Sequence, residues 1–425
     1  MKLIDEIVGA QDEIRDIRRD IHAHPELKFE ELRTSELVAK KLESWGIEVH
    51  RGLGITGLVG VIHGNPDARD IPVGSTVSAS GASVSTGGST VSKGSKAIGL
   101  RADMDALPMT EFNQFPHASI FRGKMHACGH DGHTAMLLGA AKHLAKHRSF
   151  NGTVYLIFQP GEEGGGGALE MMKDGLFSRF PMDAVFGMHN WPDYPAGTFG
   201  IREGPVMASS NVFKVRITGR GSHAALPHHG IDPVPIACQM VQAFQTIVTR
   251  NLNPTDNAVI SVTMIQAGEA TNVIPDYAEI QGTVRTFTVE VLDLIEKRMA
   301  DIAQHCCAAY GASADFEFHR GYPPTINHAN EADFVRGVMT SIVGAEQVRR
   351  YEPTMGSEDF SYFLQEKPGA YFVIGNGNGS HRTPGHGLGP CVLHNPNYDF
   401  NDDVIPLGAT LWVSIVDQWF KQHSS

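Results

Sequence analysis

The chain has 425 residues, 41% hydrophobic and 19% charged, which is the composition of a globular protein with two or three domains. Its net charge of −12 argues against a nucleic-acid partner, because such proteins present a basic face. No run of about 18 apolar residues predicts a membrane span. The N-terminus shows no secretory signal pattern, and the five scattered cysteines are typical of a reduced, cytoplasmic protein.

The first half of the chain alternates between helical and strand-like patterns. Apolar residues at helical spacing, from Ile4 to Ile21, predict one amphipathic helix at the start. Strand-like runs such as "AIGLRADM" and "GTVYLIFQP" then alternate with further helical segments. The pattern predicts helices at residues 2–22, 30–44, 133–147 and 167–175. This alternation is typical of an α/β domain with a mostly parallel sheet.

A different order of elements begins near residue 208. It runs strand, helix, strand, strand, helix, strand, which is the βαββαβ order of a ferredoxin-like domain. The first pattern resumes afterwards and ends in a helix at 403–422, so the second domain is expected to be inserted into the first. The predicted bounds are 1–207 and 323–425 for the α/β domain, with 208–322 for the inserted domain.

A segment rich in glycine, serine and threonine, "VGSTVSASGASVSTGGSTVSKGSK" at 73–96, stands apart from both patterns. Its composition predicts a flexible surface insertion between two strands. The alternation of valine with serine leaves an extended hairpin as the alternative.

The motif "HACGHDGH" gathers metal-binding residue types just before a helix. Cys128 and His130 are two residues apart, so on an extended segment their side chains would point the same way. A thiolate and an imidazole suit Zn²⁺ or another borderline divalent metal. A redox thiol is the weaker reading, because Cys128 has no CxxC partner. The third reading is that these residues are neighbours by chance, because the chain has 21 histidines.

Further polar residues follow predicted strands. Two adjacent carboxylates after a buried strand are costly unless they bind a cation or share a proton, and one can bind metal while its neighbour acts as a base. The carboxyl ends of parallel strands meet at one edge of a sheet, where α/β proteins build their sites. Each residue alone could be an ordinary solvated group. The candidates are Asp103, Asp105, Glu162, Glu163, His189 and His394.

Taken together, these motifs resemble the M20 metallopeptidase family. The closest match is its amidohydrolase branch, which includes hippurate hydrolases, N-acyl-amino-acid amidohydrolases and plant auxin-conjugate hydrolases. The resemblance spans about residues 20–410, in family order. It implies a di-metal α/β catalytic domain with an inserted ferredoxin-like dimerisation domain, and therefore a homodimer or higher oligomer. The matching segments are "GLRADMDALPM", "MHACGHDGHTAMLLGAA", "FQPGEEGGGGA", "GMHNWP", "GRGSHAALPHHGIDP", "TNVIPDYAEIQGTVRTF", "MGSEDFSYF" and "LHNPNYDFNDD".

The resemblance also implies a site with two divalent metals, of which Mn²⁺, Zn²⁺, Co²⁺ and Ni²⁺ are candidates. Cys128 would take the bridging position that is an aspartate in other branches. His130 and Glu163 would serve one metal, and His189 and His394 would complete the pair. Two further implied roles are a general base, Glu162, and a ligand-orienting aspartate, Asp105. Asp103 stands where the wider family has a metal-binding histidine.

In the inserted domain, the resemblance implies roles for three residues. His223 would reach the site of the partner subunit and stabilise the oxyanion. Asn272 and Arg285 match positions that hold the carboxylate of the substrate. The 73–96 segment stands where relatives have a short turn, and we expect it to be a tolerated insertion.

The implied activity is hydrolysis of the amide bond of N-acyl amino acids to a carboxylic acid and a free amino acid, with Glu162 acting on water activated by the metals. The alternative enzyme is a dipeptidase or metallo-carboxypeptidase that acts on short peptides. A non-hydrolytic binding module is the alternative from another class, and the presence of every implied ligand and the base disfavours it. Neither a nucleic acid nor a membrane is an expected partner.

Overall fold

The computed structural model describes residues 1–65, 96–382 and 384–423. The predicted insertion at 73–96 lies outside these residues, apart from Lys96. The chain forms two compact units. The first unit contains Met1–Arg202, Asn327–Tyr351 and Phe363–Ser425, and the second contains Glu203–Ile326 and Glu352–Tyr362.

The strands and helices are numbered here in chain order. The strands are β1 Glu48–Leu53, β2 Gly57–His63, β3 Ala97–Asp103, β4 Thr153–Gln159, β5 Ala184–Pro192, β6 Phe199–Ile201, β7 Gly204–Met207, β8 Asn211–Thr218, β9 Ser222–His223, β10 Ala258–Ala267, β11 Val273–Ile274, β12 Tyr277–Thr286, β13 Ser313–Arg320, β14 Thr325–Asn327, β15 Val348–Arg350 and β16 Gly369–Gly377. The α-helices are α1 Asp5–Gly9, α2 Gln11–Ala23, α3 Leu32–Ser44, α4 His130–Lys146, α5 Gly167–Lys173, α6 Leu176–Arg179, α7 Pro233–Arg250, α8 Val289–Ala309, α9 Ala329–Val343, α10 Ser361–Glu366 and α11 Ile405–Gln422.

The first unit is built around an eight-stranded sheet of order β1-β2-β4-β3-β5-β16-β6-β15. Its central strands β4, β3, β5 and β16 run parallel to one another. Antiparallel pairs join β1 to β2, β2 to β4, and β16 to β6. Every residue of β3, β4 and β16 is buried, as expected for parallel strands that are covered on both faces. The predicted α/β class with a mostly parallel sheet is confirmed.

Helix α4 lies in the core of the first unit. It begins at His130, within the HACGHDGH motif. Its residues are buried without a break from His130 to Ala141, because α2 and α11 cover it on the sides that the sheet leaves open. Such complete burial explains why its sequence lacks a polar face. Among the described helices, none combines the length and the apolar character that crossing a bilayer requires.

The single N-terminal helix predicted at 2–22 is in fact two helices. The amide of Ala10 donates to the carbonyls of Glu6 and Ile7, which closes α1, and α2 then starts at Gln11. The apolar spacing continues across this break because Ile7 and Ile14 both pack into the core. A continuous periodic pattern therefore concealed a backbone interruption.

The second unit has the predicted βαββαβ order, formed by β8, α7, β10, β12, α8 and β13. Its sheet has the order β10-β12-β8-β13 with antiparallel pairing throughout. Both helices place an apolar face on this sheet, and Phe244 and Ile295 are fully buried there. Side-chain oxygens of Asp232 and Thr288 cap the starts of α7 and α8. The ferredoxin-like part of the predicted fold is confirmed.

The main segment of the second unit runs from Glu203 to Ile326, against predicted bounds of 208 and 322. The unit also includes Glu352–Tyr362, a segment that the sequence pattern assigns to the α/β domain. The reason is backbone pairing: the amide of Ala208 donates to Gly356 O at 2.8 Å, and Thr354 N donates to Val206 O at 3.0 Å. Such long-range pairing leaves no local mark in the sequence.

Candidate metal centre

The Cys128–His130 segment is a sharp turn and not the extended stretch that the sequence suggested. Gly129 has a φ of 99° and forms the N-cap of α4. A Cβ at this position would lie 2.1 Å from Asn190 Oδ1, so only glycine fits. The turn nevertheless brings Cys128 and His130 into one group with His189, and Cys128 Sγ lies 3.3 Å from His189 Nε2.

The His189 ring is held in the tautomer that a metal ligand needs. Its Nδ1 donates to the carbonyl of Asn190 at 2.6 Å, which leaves the lone pair on Nε2 facing Cys128. Burial, together with the nearby His133, holds the pKa of His189 well below its usual range. His189 is therefore a neutral imidazole with a free donor atom.

His130 is oriented by a carboxylate. Burial alone would lower its pKa, but Asp103 and Asp105 outweigh that effect and raise the pKa to about 10. Its Nδ1 lies 3.2 Å from Asp105 Oδ1. Its Nε2 is buried and makes no hydrogen bond within the part of the chain that the structure describes. Asp103 Oδ2 lies 3.7 Å from this nitrogen. A bound divalent cation would take the place of the proton on Nε2 and would be attracted by the same carboxylates.

Asp105 also positions the two glutamates of the turn after β4. It accepts hydrogen bonds from the amides of Glu162 and Glu163, at 3.1 and 2.9 Å. The preceding amide, that of Gly161, donates to the buried carboxyl of Glu31 at 2.9 Å. Burial raises the pKa of Glu31 to about 7. One aspartate therefore holds both the His130 ring and the glutamate pair.

The His394 loop brings a further ligand to this turn. His394 Nε2 lies 3.1 Å from Glu163 Oε1, and its side chain is half-exposed. Its backbone has a φ of 58°, a left-handed conformation that histidine adopts more readily than most residues. The amide of His394 donates to Ala127 O at 2.8 Å. The loop is thus tied directly to the segment that carries Cys128.

The donor atoms form overlapping groups, and within each group all atoms lie within 4.8 Å of one another. Cys128 belongs to two of them, so it stands between two possible metal positions. Burial and the neighbouring Glu163 and Glu162 raise the pKa of the Cys128 thiol well above its usual range. A divalent cation would stabilise the charged forms of these groups, and their mixed S, N and O donors fit a borderline divalent metal. Three of the groups are Cys128–His130–His189, Cys128–Glu163–His394 and His130–Glu162–Glu163, and a further group joins Asp103, His130 and His133.

Asp103 differs from the other candidates because both of its oxygens are engaged. Oδ2 accepts from Arg101 and Oδ1 lies by His133 Nδ1, each at 2.6 Å. Burial would raise its pKa, but Arg101 and His130 hold the pKa well below the usual range. Asp103 therefore anchors the first turn of α4.

His133 is a residue of the site that the sequence did not reveal, since the pattern predicts only that a helix begins at this position. It is buried, contacts Asp103, and its Nε2 accepts from the amide of Asn190 at 2.9 Å. The available signal was spacing: His133 follows His130 by three residues, which places both on one face of a helix.

A buried arginine from α2 connects two of the ligand-bearing segments. Arg18 Nε lies 2.8 Å from Asp131 Oδ2, and its Nη2 forms an ion pair with Asp399. Asp131 directly follows His130, and Asp399 belongs to the loop of His394. These contacts outweigh burial and hold the pKa values of both carboxyls well below their usual range. Arg18 thus fixes two loops that are distant in sequence.

We expect Arg18→Met to destabilise the protein by about 3–5 kcal/mol, because it removes the guanidinium from two buried carboxylates, which then keep only histidine partners. Denaturant unfolding of the metal-free protein measures this loss. Arg15→Met is the matched control, since Arg15 lies on the same helix and forms only exposed ion pairs with Asp12 and Asp16. Equal unfolding midpoints for the two variants would show that the network contributes little.

Three predicted residues belong to the second unit. His223 on β9 pairs with Val273 on β11, and the amide of Ala224 donates to the carbonyl of Asn272 at 3.0 Å. The structure thus brings His223 and Asn272 together. His223 Nδ1 accepts from the amide of Ala225 at 3.0 Å, so the neutral ring carries its proton on Nε2. Arg285 lies on β12, half-buried, and burial lowers its pKa.

The sequence and the fold were compared with known proteins. The chain is 38% identical to a hippurate hydrolase of Campylobacter jejuni over 423 residues, which cover 99% of this chain and 100% of that protein. It is 39% identical to thermostable carboxypeptidase 2 of Saccharolobus solfataricus, with 96% and 95% covered. A Bacillus subtilis structure, described as a dinuclear metal binding peptidase from the M20 family, superposes with a TM-score of 0.79 at 31% identity, covering 97% of this chain and 99% of that one. The model of peptidase family M20/M25/M40 matches residues 99–418, and the chain therefore belongs to this family.

Proposed function

We propose that this protein is a metal-dependent amidohydrolase that cleaves the amide bond of N-acyl amino acids and releases a carboxylic acid and a free amino acid. One observation carries the proposal: a second carboxylate, Glu162, shares a donor group with His130 and Glu163. A pure metal-binding site has no need of this extra carboxylate, whereas hydrolysis needs a base beside its metal. Similarity to a hippurate hydrolase along nearly the whole chain supports the same reaction.

We assign two divalent cations to the donor groups, with Cys128 shared between them. His130 and His189 would complete one ligand set, and Glu163 and His394 the other. When bound, the cations would lower the pKa of water and polarise the amide carbonyl. Mn²⁺, Zn²⁺, Co²⁺ and Ni²⁺ are the candidates, because mixed sulfur, nitrogen and oxygen donors suit borderline metals.

Glu162 is the proposed general base. Its backbone is held by Asp105 and its side chain is buried, so the carboxylate has a defined position. It would take a proton from the attacking water and deliver it to the leaving nitrogen. Of the two adjacent glutamates, Glu163 is then the proposed metal ligand. Asp105 is the residue that orients both His130 and the turn that carries the glutamates.

The residues of the second unit are proposed to recognise the substrate. Arg285 offers a planar fork of donors that suits an α-carboxylate, and Asn272 would assist it. In a homodimer, His223 of the partner subunit would donate its Nε2 proton to the oxyanion that forms during attack. Dimerisation through the ferredoxin-like unit is part of this proposal. So is a cytoplasmic location, with which five free cysteines agree.

The runner-up activity is cleavage of short peptides by a dipeptidase or carboxypeptidase mechanism. The observation in favour of this alternative is the similarity of the chain to a thermostable carboxypeptidase. Both activities cut an amide next to an amino acid with a free carboxylate, so the group on the acyl side separates them.

A four-substrate panel decides between these activities. We expect metal-stripped protein to be inactive, and protein reloaded with Mn²⁺ or Zn²⁺ to release amino acid from hippurate and N-acetyl-phenylalanine faster than from glycyl-phenylalanine or benzoyl-glycyl-phenylalanine. Ninhydrin or chromatographic detection measures the free amino acid, and hippuric acid methyl ester is the control for carboxylate recognition. Fastest release from the last two substrates would favour the dipeptidase or carboxypeptidase, respectively. No release from folded, metal-loaded protein would contradict the proposed reaction.

A further inference from the structure

A second cluster of metal-binding side chains lies at the far end of α4. His143 and His147 are one helical turn apart, and Glu6 of α1 lies against both. Their ligand atoms all lie within 4.8 Å of one another. His130 begins the same helix, so the rise of an α-helix places this cluster about 20 Å from the proposed catalytic metals. The cluster has no part in the hydrolytic chemistry proposed above.

The geometry of the cluster converges on one oxygen. Glu6 Oε2 lies 3.0 Å from His143 Nδ1 and 2.7 Å from His147 Nε2. The two imidazole rings are stacked, with centroids 4.3 Å apart and an interplanar angle of 26°. Two ring nitrogens therefore lie within hydrogen-bond distance of the same carboxylate oxygen.

The distances from Glu6 Oε2 to the two ring nitrogens are those of hydrogen bonds. One divalent cation placed between the carboxylate and the two rings would bind all three side chains at once.

We propose that Glu6, His143 and His147 form an accessory site for a borderline divalent cation such as Zn²⁺ or Ni²⁺. Two imidazoles and a carboxylate are a donor set that suits these ions and does not suit Ca²⁺ or Mg²⁺. In a tetrahedral zinc site, donors stand roughly 3.3 Å apart, so the cluster needs to open by about half an ångström. Surface clefts of about 490 and 370 Å³ both include His143 in their lining, which leaves room for water as a fourth ligand.

The competitor for this site is Lys146, whose Nζ lies 2.7 Å from Glu6 Oε1. Its side chain is more than half exposed, so it can turn away into solvent when a cation binds. The other nearby lysine, Lys142, is paired with Glu13. The bound cation would join α1 to the end of α4 and would stabilise the folded protein increasingly as its free concentration rises above the dissociation constant of the site.

The test counts bound Zn²⁺ by equilibrium dialysis and elemental analysis of untagged, metal-stripped, full-length protein. The double variant His143→Gln/His147→Gln is expected to bind one equivalent fewer than the wild type while hydrolysing substrate at the wild-type rate. The same loss of one equivalent is expected when the double variant is placed in a Cys128→Ala background, which makes this result independent of the catalytic metals. Equal zinc counts with and without the two histidines overturn the proposal.

Two further variants separate a metal site from a simple cluster of ion pairs. Lys146→Met removes the competing cation and is expected to tighten zinc binding about two- to fivefold, the equivalent of one surface ion pair. Unchanged or weaker binding in this variant contradicts the proposed ligand set. The control is His228→Gln/His229→Gln, a pair of adjacent exposed histidines whose ring centroids are 4.1 Å apart, and it should leave the zinc count unchanged. A loss of zinc there would show binding by exposed histidines in general.

Discussion

Glu162→Gln is expected to lower kcat by roughly 10²–10⁴-fold while the metal content of the protein stays unchanged. Glutamine keeps the size of the side chain but cannot accept the proton of the attacking water. The backbone of the turn is held through the amides of Glu162 and Glu163 by Asp105, so the substitution leaves that anchor in place. Steady-state kinetics on the best substrate of the panel, with metal counted on the same sample, measures both quantities.

Glu170→Gln is the matched control for this experiment. Glu170 lies on α5, shortly after the same turn, and pairs with Lys173 at the surface. We expect this variant to retain wild-type kcat and metal content. If Glu162→Gln lost metal together with activity, Glu162 would belong to the ligand set and another group would have to serve as the base.

Cys128→Ala is expected to lose metal and, with it, activity by more than about 100-fold. Even residues that only orient metal ligands typically contribute 10–100-fold, and Cys128 belongs to two of the donor groups. Its removal would therefore weaken both metal positions at once. Elemental analysis after dialysis against a fixed Zn²⁺ concentration gives the occupancy, and the hydrolysis rate under the same conditions gives the activity.

Two comparison variants make the Cys128 result specific. Cys128→Asp is expected to recover part of the metal content, because a carboxylate can also bridge two cations. Cys238→Ala removes an exposed thiol on α7 and is expected to change neither quantity. Full occupancy and full activity in Cys128→Ala would refute the role of this thiol as a shared ligand.

The fold class and the set of candidate ligands could be predicted from local sequence patterns. The switch from alternating strands and helices to the βαββαβ order reflects local periodicity, and the structure has both patterns. Glu162 and Glu163 could be recognised because polar groups directly after a buried strand are unusual. His189 was expected at the end of its strand, but β5 continues to Pro192. The structure brings these residues together with Cys128, His130 and His394 in the first unit.

The way in which these residues are held depends on contacts between distant parts of the chain, which the sequence patterns do not contain. The contact of Arg18 with Asp399 joins positions 381 residues apart, and no local pattern records such a pair. The same holds for the bonds from Asp105 to the glutamate turn, for His133, and for Glu6 against the end of α4. Local periodicity can be detected in the sequence, because it depends on residues that are close together along the chain. The orientation of a ring or carboxylate depends on which distant groups the fold places beside it, and therefore appears only in three dimensions.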